Sequence, residues 1–131
     1  MNDKQSSARI LLVEDHGDTA KALVKLLHLS GYDVLCAQTL SAALQACDEN
    51  EFDLLISDVG LPDGTGYDLM RQVLARHRTS RGIAVSGYGS ESDIHESLRA
   101  GVSEHLTKPV AFDTLRDAIN RVIPTKISST P

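Results

Sequence analysis

Five short apolar runs divide the chain: Ile10-Leu11-Leu12-Val13, Asp33-Val34-Leu35-Cys36-Ala37, Leu54-Leu55-Ile56, Ile83-Ala84-Val85 and Glu104-His105-Leu106. Their apolarity is continuous rather than alternating, which predicts strands buried on both faces, as in a parallel sheet covered by helices. Between the runs the spacing turns helical. Ala20, Leu23, Val24 and Leu27 form an i, i+3, i+4, i+7 stripe, with Asp18 as the expected N-cap and Gly31 placed to cap the C-terminal end. Leu40, Ala43, Leu44 and Cys47 repeat the stripe behind Thr39 as N-cap. Met70, Val73, Leu74 and His77 do so more weakly, and Phe112, Leu115, Ile119 and Val122 close the series. The segment from Glu91 to Ala100 has only Ile94 and Leu98 as large apolar residues and makes the weakest helix.

Strands alternating with helices amount to five βα units. That pattern predicts an α/β, doubly wound fold, a parallel five-stranded sheet in the flavodoxin-like order 2-1-3-4-5. Such sheets bind ligands at the carboxyl ends of their strands, near the switch in strand order. A chain of 131 residues suffices for one hydrophobic core. The expected domain is 9–123, and the Ser/Thr/Pro-rich flanks 1–8 and 124–131 read as flexible tails or a linker.

Composition narrows the function classes. With 41% hydrophobic and 24% charged residues, the chain has the mix of a globular domain. A net charge of -5 and the lack of any Lys/Arg block argue against direct nucleic-acid binding. No apolar stretch reaches the ~18 residues of a membrane span. The stretch from Met1 to Ser7 has no apolar signal core, so no membrane insertion or secretion is expected and the location is cytoplasmic. Cys36 and Cys47 lie in apolar runs without Cys-x-x-Cys spacing, which suits reduced, buried thiols rather than a disulfide.

The chemistry gathers at the strand ends. Strand one ends in Glu14-Asp15, strand three in Ser57-Asp58, strand four in Ser86 and strand five in Thr107-Lys108. Carboxylates crowded on one edge repel one another and raise each other's pKa unless a cation or a lysine balances them. Mg²⁺ suits this role, because it takes one or two carboxylates, keeps several waters and leaves positions for phosphate oxygens; Mn²⁺ fits the same donors. Asp15 and Asp58 can supply those oxygens. An aspartate can also attack phosphorus, giving an aspartyl phosphate, if metal and ammonium neutralise the phosphoryl charge from two sides. Lys108 is the only basic residue identified at these ends.

Taken together, Ile10 to Asp15, the run Asp58-Val59-Gly60-Leu61-Pro62-Asp63-Gly64-Thr65-Gly66, Val85-Ser86 and Lys108-Pro109 resemble the response-regulator receiver domains of bacterial two-component systems, over about residues 9–123. The resemblance implies that Asp58 accepts a phosphoryl group from a phosphohistidine on a histidine kinase or histidine phosphotransfer domain. It implies that Asp15, Asp58, the Gly60 backbone carbonyl and, through water, Glu14 hold Mg²⁺, while Ser86 and Lys108 contact the phosphoryl group. It implies a cis Lys108-Pro109 peptide, and a switch made of Ser86 and a residue on strand five, where His105 replaces the usual Tyr or Phe. It allows a homodimer through the face of the fourth helix, fifth strand and fifth helix. Such a domain catalyses its own phosphorylation and dephosphorylation without being an enzyme in its own right. Glu104 to Pro109 resembles receivers attached to hybrid histidine kinases more than those attached to DNA-binding domains. Gly60 and Tyr88 replace polar side chains common beside such sites, so phosphate lifetime is not inherited from the family; Gly87, where alanine is frequent, keeps the pocket open.

Plainer readings compete. A strand-end acid such as Glu14 is often a loop residue, Ser86 a turn hydroxyl, Lys108 a surface lysine and His105 a packed ring. If His105 does switch, its protonation makes output pH-sensitive. His16, His28, His77 and His95 lack i, i+4 ligand spacing, so no zinc site is expected. A second stripe on helix one, Ala22, Leu26 and Leu29, is either a widened core face or a docking surface for a phosphodonor. One rival function is an aspartyl-phosphate phosphohydrolase, which needs an aspartate where Gly60 stands. A flavin module is another, needing a glycine- and hydroxyl-rich phosphate loop where Glu14-Asp15 stands. A pseudo-receiver acting only as an interaction module is the third.

Overall fold

The computed structural model describes residues 8–76, 81–87, 95 and 99–123. Its main sheet contains β1 (Arg9–Val13), β2 (Asp33–Ala37), β3 (Leu54–Asp58), β4 (Arg81–Ser86) and β5 (Glu104–Thr107), all parallel, in the order β2-β1-β3-β4-β5. The helices described are α1 (Gly17–Leu29), α2 (Leu40–Glu49), α3 (Gly66–Arg76) and α4 (Phe112–Val122). This is the doubly wound, flavodoxin-like arrangement expected from the apolar pattern. The expected helix between Glu91 and Ala100 lies largely outside the described residues, as do His77, Tyr88 and the flanks 1–7 and 124–131.

The period of two along each strand divides the core between the faces of the sheet. Ile10, Leu12, Leu54, Ile56 and Ile83 pack with Leu27 of α1 and with Leu115, Ala118, Ile119 and Val122 of α4. Leu11, Val13, Leu55 and Ala84 pack instead with Ala43 and Cys47 of α2 and Leu69, Met70 and Val73 of α3. Each fully buried Leu or Ile contributes about 1.5–3 kcal/mol. α3 lies so close to β4 that any side chain at Gly82 would run into Met70. Both cysteines are free, and burial pushes the Cys47 thiol up to about 11.

Several sequence expectations are corrected. β2 and β5 are edge strands and only partly covered: Asp33 and Leu35 of β2 are exposed, and β5 has no buried residue. Continuous apolarity marks the central strands, not these. β3 runs on past Ile56 to Asp58, because Asp58 still pairs opposite Val85. The N-cap of α1 is His16, and Asp18 lies in the first turn. Ala22, Leu26 and Leu29 are exposed, Leu29 by 76%, so the second stripe of α1 does not widen the core.

Other local signals hold. Thr39 Oγ1 accepts the Ala42 N–H at 3.0 Å, and Gly31, at φ 98°, closes α1 by donating its N–H to His28 O. Between β3 and α3, Gly60–Leu61 and Gly64–Thr65 form a short antiparallel ladder. Asp63 at its tip reaches the N-terminus of α2, accepting the Leu40 N–H at 2.8 Å and the Ser41 N–H at 3.0 Å. Those two bonds hold its carboxyl below the ordinary aspartate range.

Candidate functional site

Strand order and register bring the predicted chemistry together. Val13 pairs opposite Ser57, Asp58 opposite Val85 and Ser86 opposite Thr107, so the four strands end on one edge. Backbone bonds carry the ladder slightly further, from Glu14 N–H to Ala37 O and from Lys108 N–H to Ser86 O at 2.7 Å. The Lys108-Pro109 peptide is cis.

Asp58 and Glu14 are buried carboxylates. Lys108 Nζ donates to Asp58 Oδ2 at 2.8 Å and lies 3.6 Å from Glu14 Oε1. Burial alone would lower the Lys108 pKa. The hydrogen bond and charge of Asp58, followed by those of Glu14, outweigh it and hold the ammonium above its usual value. Gly60 pairs with Thr65 and turns its N–H toward Asp58 Oδ1 at 3.4 Å. Gly66 has a steric reason: a side chain there would collide with the Asp58 carbonyl and crowd Ser57 Oγ, so glycine lets α3 start against the end of β3. Beside the ion pair opens an apolar cavity of about 520 Å³, walled by Leu12, Leu23, Ile56, Val85, Val110 and Leu115.

Ser86 is buried, and its Oγ lies 3.2 Å from His105 Nε2. The two residues expected to form the switch are therefore one hydrogen-bonded pair across β4 and β5.

A cation fits the acidic end of the pocket. Asp15 Oδ1 is buried without a hydrogen-bond partner, and a metal bond would satisfy it. Ligand atoms of Glu14, Asp15, His16 and Asp58 lie within 4.8 Å of one another, and their carboxylate oxygens are the hard donors that Mg²⁺ takes. His16 is the member that sequence reasoning missed. Its Nδ1 lies 3.0 Å from Glu14 Oε2 and 3.4 Å from Asp15 Oδ1, the latter too poorly aligned for a hydrogen bond. The hydrogen bond to Glu14, then the charges of Asp15 and Glu14, raise its pKa. A search for paired histidines passes over it, whereas its place directly after two acids was the usable signal.

Comparison with known proteins follows the same residues. Residues 10–120 match the family described as response regulator receiver domain. The response regulator protein PilR of Pseudomonas aeruginosa is 32% identical over 114 residues, covering 87% of this chain and 26% of PilR. The virulence sensor protein BvgS of Bordetella pertussis is 31% identical over 140 residues, covering 97% of this chain and 11% of BvgS. The CheY-like receiver domain from Methanospirillum hungatei JF-1 superposes with a TM-score of 0.82 at 30% identity, covering 89% of this chain and 94% of that one. The chain thus spans only 26% and 11% of the lengths of these two curated relatives. Among the described residues no helix is long and apolar enough to cross a membrane. Because the fold, the strand-end acids with their lysine and the matched segment coincide, the chain belongs to the response-regulator receiver domain family of two-component signalling.

Proposed function

We propose that Asp58 accepts a phosphoryl group from a phosphohistidine, on a histidine kinase or histidine phosphotransfer domain, in a Mg²⁺-dependent step. The observation that carries this reading is the 2.8 Å pair between Lys108 Nζ and Asp58 Oδ2 beside the further acids Glu14 and Asp15. It presents one carboxylate between an ammonium and a cation-binding pocket.

In the transfer an Asp58 carboxylate oxygen attacks phosphorus. The P–O bond forms as the P–N bond breaks, and the donor imidazole leaves with the electron pair. Lys108 neutralises one phosphoryl oxygen and the Ser86 hydroxyl donates to another. Asp15, Asp58, the Gly60 carbonyl and, through water, Glu14 would hold Mg²⁺ or Mn²⁺, which when bound supplies charge neutralisation at the phosphoryl oxygens.

The Ser86–His105 contact gives the new charge a route to the surface. A Ser86 side chain that turns its Oγ toward a phosphoryl oxygen loosens its contact with His105 Nε2, whichever of the two donates in that contact. Phosphorylation then biases His105 and the face around β5 toward a second arrangement, a population shift that changes partner preference. That face also suits a second copy of the chain. The signalling unit is residues 9–123 with tails on either side, acting in the cytoplasm and not as an enzyme in its own right.

Incubation with Mg²⁺ and acetyl phosphate, read by intact mass, is expected to give one phosphoryl adduct on the wild type and none on Asp58→Asn. A wild type that takes no adduct from acetyl phosphate or from a phosphorylated histidine donor would be a pseudo-receiver instead.

A further inference from the structure

We propose that the cation pocket includes a nitrogen ligand: His16 Nδ1 joins the carboxylates of Asp15 and Asp58, beside the water-linked Glu14, and the preference of the site for a first-row transition cation such as Mn²⁺ over Mg²⁺ depends on His16. It presupposes the reading of this pocket as a divalent-cation site.

Helix capping and core packing do not explain His16, whose local partners are the acids Glu14 and Asp15. It occupies the N-cap of α1, where Ser, Thr, Asp or Asn would accept a backbone N–H, and its side chain makes no capping bond. A positive ring at a helix N-terminus also opposes the helix dipole. Its side chain is 70% exposed, so core packing does not account for it either. Instead the backbone N–H of His16 donates to Glu14 Oε2 at 3.1 Å, and this short turn brings the ring back over the acids.

The candidate ligand atoms of Glu14, Asp15, His16 and Asp58 all lie within 4.8 Å of one another, close enough to converge on one ion. His16 Nδ1 is hydrogen-bonded to Glu14 Oε2 at 3.0 Å and lies 3.4 Å from Asp15 Oδ1. Asp15 Oδ1 remains without a hydrogen bond although the ring nitrogen is near it. A cation bound between the two would take the Asp15 lone pair and displace to solvent the ring proton that His16 shares with Glu14. Mg²⁺ prefers an all-oxygen shell and gives up water reluctantly, whereas imidazole is a good donor to first-row transition ions, whose affinities rise from manganese toward copper.

The competing account makes His16 an imidazolium pinned to Glu14, standing where the cation would sit. The two differ in sign. If His16 is a ligand, His16→Ala loses Mn²⁺ affinity by about tenfold or more, since even outer-shell partners count on that scale, and loses less for Mg²⁺. If it is a plug, its removal tightens both metals.

The measurement is an electron paramagnetic resonance titration with Mn²⁺ alone, Mg²⁺ as competitor, and pulsed spectra of the bound ion. Wild type is expected to show ¹⁴N coupling that vanishes in His16→Ala, together with a preference for Mn²⁺ over Mg²⁺ that shrinks in the variant; metal-free unfolding curves of the two proteins check that the fold is intact. Bound Mn²⁺ without nitrogen coupling, or a His16→Ala variant that binds as well or better, overturns the ligand role and leaves a carboxylate site. No Mn²⁺ binding, or binding indifferent to Asp15→Asn and Asp58→Asn, overturns the cation site and the role of His16 with it.

Discussion

Lys108 has two tasks that pull against each other: it holds two buried carboxylates in the resting protein, and in the proposed reaction it moves its charge to a phosphoryl oxygen. Removing it exposes both. Lys108→Ala is expected to lose about 1.5–3 kcal/mol, the range for hydrogen bonds to charged groups, and to slow phosphorylation by acetyl phosphate about 10²–10³-fold, as loss of one oxyanion donor does. The pH dependence has a definite sign. A raised folded-state pKa means a contribution fully present below the unfolded value near 10.4 and lost as pH rises through the folded value. Denaturant unfolding should therefore show a constant gap between wild type and Lys108→Ala from neutral pH to about 10, closing above. At this scale the sequence was legible where residue type and strand-end position carry the chemistry, as for Asp15, Asp58 and Lys108. The Ser86–His105 pair and the turn of His16 onto Glu14 depend on cross-strand register and side-chain direction, which no linear pattern contains.

Among the elements, the link from Asp63 to α2 shows how a site loop is fixed from outside. The ladder after β3 carries Gly60 beside Asp58, and its tip is tied down by Asp63 at Leu40 and Ser41. Asp63→Ala is expected to lower the melting temperature at pH 7. Here the folded pKa is depressed, so the stabilisation is present above the unfolded value of about 3.9 and lost as pH falls through the folded one. Thermal unfolding should show the gap to wild type unchanged above about pH 5 and closing below about 4; a gap that persists in acid would assign Asp63 a role other than its charge. The central strands and the amphipathic helices were readable because burial on two faces and period 3.6 leave strong marks. The edge strands were misjudged because their apolar residues mimic a central strand, and the α1 cap because the loop is held by Glu14 rather than by a capping side chain. Asp63 was invisible because it acts on residues 22 and 23 positions away.

For the molecule as a whole, the metal reading makes stability depend on divalent cation. A ligand at one hundred times its dissociation constant adds about 2.7 kcal/mol if it binds only the folded state. Thermal unfolding with and without Mg²⁺ is expected to show a rise in wild type that Asp15→Asn largely loses; equal rises would move the bound cation elsewhere. The alternation of runs and stripes was enough to anticipate the doubly wound sheet, whose order then delivers four strand ends to one edge. What the pattern could not supply is how closely this edge is knit, Lys108 Nζ on Asp58 at 2.8 Å and the His16 ring turned back onto Glu14. The most direct test is chemical localisation of the phosphoryl group. Protein treated with acetyl phosphate and Mg²⁺ is reduced with borohydride, which converts an acyl phosphate on aspartate to homoserine, and its peptides are sequenced by mass spectrometry. Homoserine at position 58, abolished by metal chelation before phosphorylation, is the expected result; a phosphoryl group on any other residue, or none at all, contradicts Asp58 as the acceptor.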